Sequence, residues 1–267
     1  MFQYEFMQNA FLAAIFISIL CPMVGVFLVL KRHSMMGDTL AHSAFAGVAI
    51  GLVLGYNPIL CAFIFTTICG LAIEFLRDYY KKYAELILSI ILTFSVGIGI
   101  TLISTGKASG SVNSYLFGSI LTVTKKDLLI MVILSCISIL VIYFMYDKLV
   151  YTTFDEEGAK VSGINVKLVN YIFALLVGAT ISASIRIMGI LVMSSMIAIP
   201  VATALQLNKG FKPTLFLSIF FGFIDIILGL IISYVINCAP GGTIALTSVF
   251  ILLFIIIVNS VMKFAKK

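Results

Sequence analysis

The chain has 267 residues, of which 62% are hydrophobic and only 10% are charged, and its formal net charge is +6. Soluble domains carry about a quarter charged residues, so this composition excludes a soluble globular protein and indicates a bilayer as the solvent. Backbone polar groups inside a bilayer must be hydrogen-bonded within the protein, and long, unalternating apolar runs favour helices over a barrel. We therefore predict an all-α polytopic membrane protein with one transmembrane domain over residues 1–267.

Charged residues, glycines and prolines divide the chain into apolar segments long enough to cross a bilayer, which takes about 20 helical residues. Nine segments are predicted: 8–30, 36–56, 58–76, 86–104, 128–146, 168–185, 187–206, 214–236 and 243–262. The sixth and seventh are separated only by Arg186 and its neighbours, so the count is eight or nine. The first 30 residues contain no Lys or Arg, so we expect the first segment to be a retained helix and not a secretory signal.

The basic residues are scattered between the apolar segments, which indicates membrane orientation and not nucleic-acid binding. With the N-terminus outside, the outer segments hold four of the 17 Lys and Arg residues, namely Lys107, Lys125, Lys126 and Arg186. The other thirteen are cytoplasmic: Lys31, Arg32, Arg77, Lys81, Lys82, Lys148, Lys160, Lys167, Lys209, Lys212, Lys263, Lys266 and Lys267. This bias predicts an outside N-terminus and a cytoplasmic C-terminus.

Two connections are more than simple loops. Residues 105–126 begin as a Gly/Ser-rich outer loop and continue into the apolar stretch "YLFGSIL", which we interpret as an interfacial or re-entrant element. Residues 147–167 form the longest polar segment predicted on the cytoplasmic side. Within it, "EGAKVSG" (157–163) has the pattern of a short amphipathic helix ended by glycine, suited to docking on a soluble partner. A solvated loop with a glycine turn is the alternative.

Motifs for ATP binding or hydrolysis are absent from the sequence. It contains no GxxxxGK[ST] phosphate loop, no HExxH and no GxSxG, and it has two histidines. The five cysteines lie inside or at the edges of apolar runs without CxxC pairing, which is typical of small buried hydrophobic residues. This pattern indicates a transport pathway and not a catalyst, and leaves an integral-membrane hydrolase as a weak alternative.

Asp38 and His42 are the first candidates for a functional site. Their i, i+4 spacing puts both side chains on one face of a helix, where a carboxylate oxygen and an imidazole nitrogen can share a divalent cation. The alternatives are a capping role for Asp38 near a helix start and a hydrogen-bonded core role for His42.

Asp225 and Arg186 are further candidates for a pathway or relay. Asp225 lies in the middle of the eighth segment, where ionisable residues are costly and often functional; an interhelical hydrogen bond from the protonated acid is the alternative. Arg186 lies at the outer end of the sixth segment, where steering or gating competes with simple snorkelling to the interface.

Four blocks resemble the permeases of bacterial ABC importers for zinc and manganese. "KRHSMMGDTLAHS" is similar to their signature stretch, "FDEEGAKVSGINV" to their cytoplasmic coupling segment, "RIMGILVMSSMIAIPVATALQL" to a Pro/Ala block carrying Pro200 and Ala204, and "APGGTIALTSVFILL" to their last helix. The blocks occur in the family's order across essentially the whole chain. Ala41, His33 and Asp225 depart from the family pattern.

The resemblance implies a homodimeric permease with a central path, two cytoplasmic ATPase subunits and an extracellular metal-binding lipoprotein. It implies that Asp38 and His42 contact the metal. The residues it implies for ATPase coupling are Asp155, Glu156, Glu157, Ala159 and Gly163. No permanent cofactor is expected.

The expected function is Zn²⁺ import across the bacterial plasma membrane, driven by ATP hydrolysis on partner subunits. Import of Mn²⁺ or Fe²⁺ by the same mechanism is the first alternative, because one imidazole and one carboxylate suit either zinc or manganese. The second is an ion-coupled secondary transporter that uses Asp225 as a proton relay. Asp38 is only about 10 Å along a helix from Lys31 and Arg32, which is shallow for a site at mid-membrane.

Overall fold

The computed structural model describes residues 5–80, 83–106, 112–119 and 124–265. Within these ranges the chain forms α-helices and no β-strand. The helices are α1 Glu5–Leu30, α2 Ser34–Leu54, α3 Pro58–Tyr79, α4 Ala84–Ser104, α5 Val112–Leu116, α6 Lys125–Phe154, α7 Glu156–Val161, α8 Val166–Met188, α9 Met193–Leu205, α10 Phe211–Ile236 and α11 Pro240–Ala265. Lys81, Lys82, Lys107, Lys266 and Lys267, counted above in the charge distribution, lie outside the described residues.

Eight of the described helices are long and apolar enough to cross a membrane: α1, α2, α3, α4, α6, α8, α10 and α11. The seventh predicted segment, 187–206, has a different form. Gly189, with φ +77°, ends α8, and the chain continues through a 3-10 turn, Ile190–Val192, into the 13-residue α9. The described chain therefore has eight long membrane helices and one short segment between α8 and α10.

Aromatic contacts identify which helix ends lie together on one side of the membrane. The ring of Phe211, at the start of α10, lies 5.6 Å from that of Phe27, near the end of α1. It also lies 6.1 Å from the ring of Tyr146 and 5.7 Å from that of Phe154, both in α6. This face carries the excess of Lys and Arg, and is the cytoplasmic face.

Backbone contacts identify the outer face. Ser119 N donates to Arg186 O near the end of α8, and Gly241 N, at the start of α11, donates to Phe117 O. Asn259, near the other end of α11, donates to Gln206 O just after α9, so the 190–205 segment returns to the cytoplasmic face. Nine passages then place the N-terminus outside and the C-terminus in the cytoplasm.

The outer connection contains the stretch interpreted as interfacial or re-entrant. Val112–Leu116 forms the short α5, in which Val112 and Tyr115 are buried, and Ile120 and Leu121 of "YLFGSIL" lie outside the described residues. A Cβ on Gly118 would come within 2.1 Å of Ile187 O. The connection is therefore packed directly against the end of α8.

The α2–α3 hairpin is fixed by its local sequence. Gly55 ends α2 in the left-handed conformation, and the Asn57 side chain caps α3 by accepting from Ile59 N at 2.9 Å. A Cβ on Gly47 would lie 2.5 Å from the Ala62 Cα, so the two backbones touch. The turn lies between the segments predicted to end at 56 and to begin at 58, and α2 and α3 are in direct backbone contact.

The polar segment predicted at 147–167 needs correction. The first eight of these residues belong to α6, which continues as a regular helix to Phe154. Asp155 alone separates it from α7. A helix that projects beyond the hydrocarbon needs no apolar run, so the polar composition marked the end of the membrane segment and not the end of the helix.

Candidate metal pathway and coupling surface

Asp38 and His42 lie one turn apart on the same face of α2. The N-cap of this helix is His33, without a side-chain cap hydrogen bond. Asp38 lies beyond the first turn, which excludes the capping role considered above. The Asp38 Oδ1 and His42 Nε2 atoms are 3.9 Å apart, and the two side chains are 43% and 30% exposed.

This spacing suits a shared cation. A separation of 3.9 Å is too long for a hydrogen bond, yet it is less than twice the ~2.1 Å from a metal to a nitrogen or oxygen ligand. No group of three or more His, Cys, Asp and Glu side chains that could hold a metal occurs in the described part of the chain. One chain therefore offers an incomplete ligand set, as a site that must release its ion requires.

The pair lies in the cytoplasmic half of α2. At 1.5 Å per residue, Asp38 is about 6 Å and His42 about 12 Å from Ser34 along the helix. The basic turn before α2 is itself drawn into the bundle. Lys31 Nζ donates to Asn170 Oδ1 of α8 at 2.9 Å and lies 5.1 Å from the centre of the Phe173 ring. Burial in these contacts lowers the pKa of Lys31 to about 8.

The rest of α2 is held by its neighbours. Ser43, next to His42, shares a hydrogen bond of 2.9 Å with Ser95 of α4, and both hydroxyls are buried. Phe45 lies against Gly99 of α4. Together with α3 packed along Gly47 and Gly51, these contacts hold α2 from Ser43 onwards.

The predicted coupling residues form a compact cytoplasmic element. Asp155 caps α7 by accepting from Gly158 N at 2.8 Å, Ala159 is fully buried, and Gly163 adopts a φ of +81°. Glu156 forms an ion pair of 2.9 Å with Lys160, and this hydrogen bond lowers the pKa of Glu156. Glu157 faces the cleft between α3, α7 and α8, whose volume is about 860 Å³.

Val161, the last residue of α7, was not singled out by the sequence analysis. It is 90% exposed, although it is apolar and lies outside the membrane helices. The sequence contained a signal for it, because Val161 is a β-branched apolar residue between Lys160 and Ser162 of the polar segment. An apolar side chain in water at this position is typical of a contact with a partner.

Asp225 is not brought together with Asp38 and His42. It is 1% exposed, and its Oδ2 accepts from Ser248 Oγ of α11 at 2.6 Å. Its Oδ1 has no hydrogen-bond partner in the described part of the structure. This geometry is that of the interhelical hydrogen bond considered in the sequence analysis.

Arg186 is paired within the protein near the outer end of α8. Its Nη2 lies 3.2 Å from Asp127 Oδ2, with the two side chains 12% and 7% exposed, and its guanidinium carbon lies 4.6 Å from the centre of the Tyr115 ring. Asp127 also forms a capping box with Thr124 at the start of α6. These partners are distant along the chain and were not predicted, although "TKKD" is a recognisable cap.

The alternating long helices, the break after α8 and the cytoplasmic α7 define a multi-pass membrane permease. The model of the ABC 3 transport family matches residues 3–259, and the chain belongs to this family. It is the permease of a metal ABC importer in the bacterial plasma membrane, and ATP hydrolysis occurs on a separate subunit.

Relatives and a solved structure cover almost the whole chain. The "Probable metal transport system membrane protein" of Treponema pallidum is 48% identical over 98% of each chain. The "Manganese transport system membrane protein MntC" of Listeria monocytogenes is 30% identical over 99% of this chain and 95% of its own. PsaBC from Streptococcus pneumoniae, solved in complex with a Fab, has a TM-score of 0.85 and 30% identity, covering 95% of this chain and 91% of that one.

Proposed function

We propose that this permease imports Mn²⁺, with Asp38 and His42 as the transit site. The observation that carries the proposal is the placement of this pair. A carboxylate and an imidazole, 3.9 Å apart, remain accessible on a helix that is otherwise largely buried. They can replace part of the hydration shell of an ion and still release it.

Manganese is proposed in place of the zinc first expected because the relative from Listeria monocytogenes is named for manganese transport. The two ligands do not decide the metal, since imidazole suits zinc and carboxylate oxygen suits manganese. Zinc binds such a mixed pair more tightly than manganese does. A preference for Mn²⁺ would therefore rest on a coordination number above the four of zinc, supplied by further oxygen ligands.

The proposal includes three partners. A second copy of the chain would bring a second Asp38–His42 pair to the path. Two cytoplasmic ATPase subunits would dock on α7, where Val161 is exposed next to the cleft. An extracellular metal-binding lipoprotein would deliver the ion at the outer face.

Uptake of radioactive Mn²⁺ by cells tests the transit site. We expect Asp38→Ala and His42→Ala each to reduce uptake to the background of a strain lacking the permease, because either change removes half of the ligand pair. Asp147→Ala, which removes an exposed carboxylate of α6, is the matched control and should leave uptake unchanged. Normal uptake by the two site variants at normal expression would show that the ion takes another route.

Two further arms of this experiment test the driving force and the metal. Uptake should stop in a strain without the partner ATPase, whereas a secondary transporter would continue. Excess Mn²⁺ should compete more strongly than Zn²⁺ or Fe²⁺. Stronger competition by Zn²⁺ would restore the zinc assignment without changing the site.

A further inference from the structure

The start of α2 is attached to α3 by a charged cluster that the transit site does not use. Arg77 of α3 places Nη2 2.7 Å from Nε2 and Nη1 3.3 Å from Nδ1 of His33. Its Nη1 also donates to Glu74 Oε1 at 3.0 Å. The Arg77 and Glu74 side chains are only 22% and 9% exposed. The Arg77 guanidinium is thus held between Glu74, one turn earlier on α3, and His33, which precedes α2.

His33 is neutral in this arrangement. Burial and the charge of Arg77 lower the pKa of His33 to about 4, so the imidazole accepts a hydrogen bond at one nitrogen. The shorter contact places that acceptor at Nε2. Arg77 is suited to this contact because its planar fork reaches the ring and the carboxylate at once, which a lysine ammonium cannot do with the same geometry.

The turn before α2 needs such support. Arg32 has a φ of +58°, a left-handed conformation that is unfavourable for a residue with a Cβ. Side-chain contacts hold the turn on either side of this residue. Lys31 is bound to Asn170 of α8, and His33 is bound to Arg77 of α3. Asp38 lies little more than one turn beyond His33 on the same rigid helix, so a shift of His33 is passed to Asp38.

Arg77 also reaches the coupling side of the molecule. It lines the cleft between α3, α7 and α8 together with Glu156 and Glu157 of α7. A single side chain therefore contacts the residue before α2 and borders the surface next to the coupling helix.

We propose that Arg77 is a positioning residue of the metal pathway, which acts through His33 to set the orientation of α2 and hence of Asp38 and His42. The proposal rests on the proposed function, since it concerns the geometry of that transit site. Arg77 itself does not touch the ion.

Mn²⁺ binding to the purified permease–ATPase complex tests this role, with the loss of the aqueous Mn²⁺ EPR signal as the readout. We expect Arg77→Gln and His33→Ala each to weaken Mn²⁺ affinity about threefold to tenfold, within the range for neighbours in one network. The double variant should bind no more weakly than either single variant, because both changes break the same contact. His33→Gln keeps an acceptor for Arg77 and should stay within about twofold of the native affinity.

Lys167→Gln is the matched control. Lys167 lines the same cleft and forms an ion pair with Asp78 of α3, so its loss removes a cation that links α3 to α8 without a contact to His33. We expect unchanged Mn²⁺ affinity. Native affinity in Arg77→Gln and His33→Ala, or losses that add in the double variant, would overturn the proposal. So would a loss in His33→Gln equal to that in His33→Ala.

The same measurement separates this proposal from the proposed function. If Asp38→Ala abolishes Mn²⁺ binding while Arg77→Gln leaves it unchanged, the transit site stands and the positioning role fails. If Asp38→Ala binds Mn²⁺ normally, the transit site fails, whatever the effect of Arg77→Gln. Unfolding monitored with a thiol-reactive dye, which labels the buried Cys21 and Cys69 only after unfolding, verifies that each variant is folded.

Discussion

At the scale of single residues, three carboxylates inside the bundle have three different environments. Asp38 is half-exposed beside His42, Asp127 is buried against Arg186, and Asp225 is buried with one hydroxyl partner. Of these three, only Asp38 is both accessible and next to an imidazole. Polar residues in a membrane segment therefore cannot be assigned to a pathway by their presence alone, because two of these three serve contacts between helices.

Asp225 provides a prediction at this scale. Asp225→Asn should leave stability and Mn²⁺ uptake near native values, because the amide oxygen accepts from Ser248 as the carboxyl does. Asp225→Ala should destabilise the protein by about 1–3 kcal/mol, since it leaves the buried Ser248 hydroxyl without this partner. Thermal unfolding with the thiol-reactive dye measures the stability of each variant. If Asp225→Asn folds normally and loses uptake, the carboxyl has a relay role and the interhelical contact is not its whole purpose.

At the scale of helices, local sequence predicted what local interactions determine. The segment predicted to begin at residue 58 begins where α3 does, and Gly163 predicted the end of α7. The continuation of α6 through residues 147–154 could not be predicted from hydropathy, because that part of the helix leaves the hydrocarbon. The 3-10 turn after Gly189 was not predicted; the backbone there packs closely against Gly118 and Gly241 from distant parts of the chain.

The same division holds for the candidate site. The i, i+4 spacing was sufficient to predict that Asp38 and His42 share a face. The contact of Arg77 with His33 spans 44 positions, and a single sequence contains no local signal for such a pair.

The exposed end of α7 gives a prediction for this element. Val161→Asp should abolish uptake and the stimulation of ATP hydrolysis by the permease, because it puts a charge into an apolar contact with the ATPase. The permease should still fold, since Val161 is 90% exposed. Lys160→Gln, one residue earlier on the exposed side of α7, is the control and should retain most activity. Native ATPase stimulation in Val161→Asp would place the docking surface elsewhere.

At the scale of the whole molecule, the accessible face of α2 should meet the same face of a second copy. Met35, 60% exposed and next to the start of this face, should therefore form a disulfide between two copies as Met35→Cys. Cys136 and Cys238, which are exposed, are first replaced by serine. Membranes treated with a mild oxidant should then yield a dimer on non-reducing gels.

Phe144→Cys is the control for random collision in the membrane. Phe144 is 78% exposed on α6, and a cysteine there should give little dimer under the same conditions. If both cysteine variants cross-link equally, or if neither cross-links, α2 does not form the contact between the two copies.

The continuity of α6 has a mechanical consequence. This helix has 30 residues and is about 45 Å long. Its outer end carries Asp127, bound to Arg186, and only Asp155 separates its inner end from α7. The helix runs without a break between these two contacts, so a displacement of α7 acts on a helix whose other end is held by Arg186. Under the proposed function, opening towards the cytoplasm and sealing towards the outside would then be two ends of one movement.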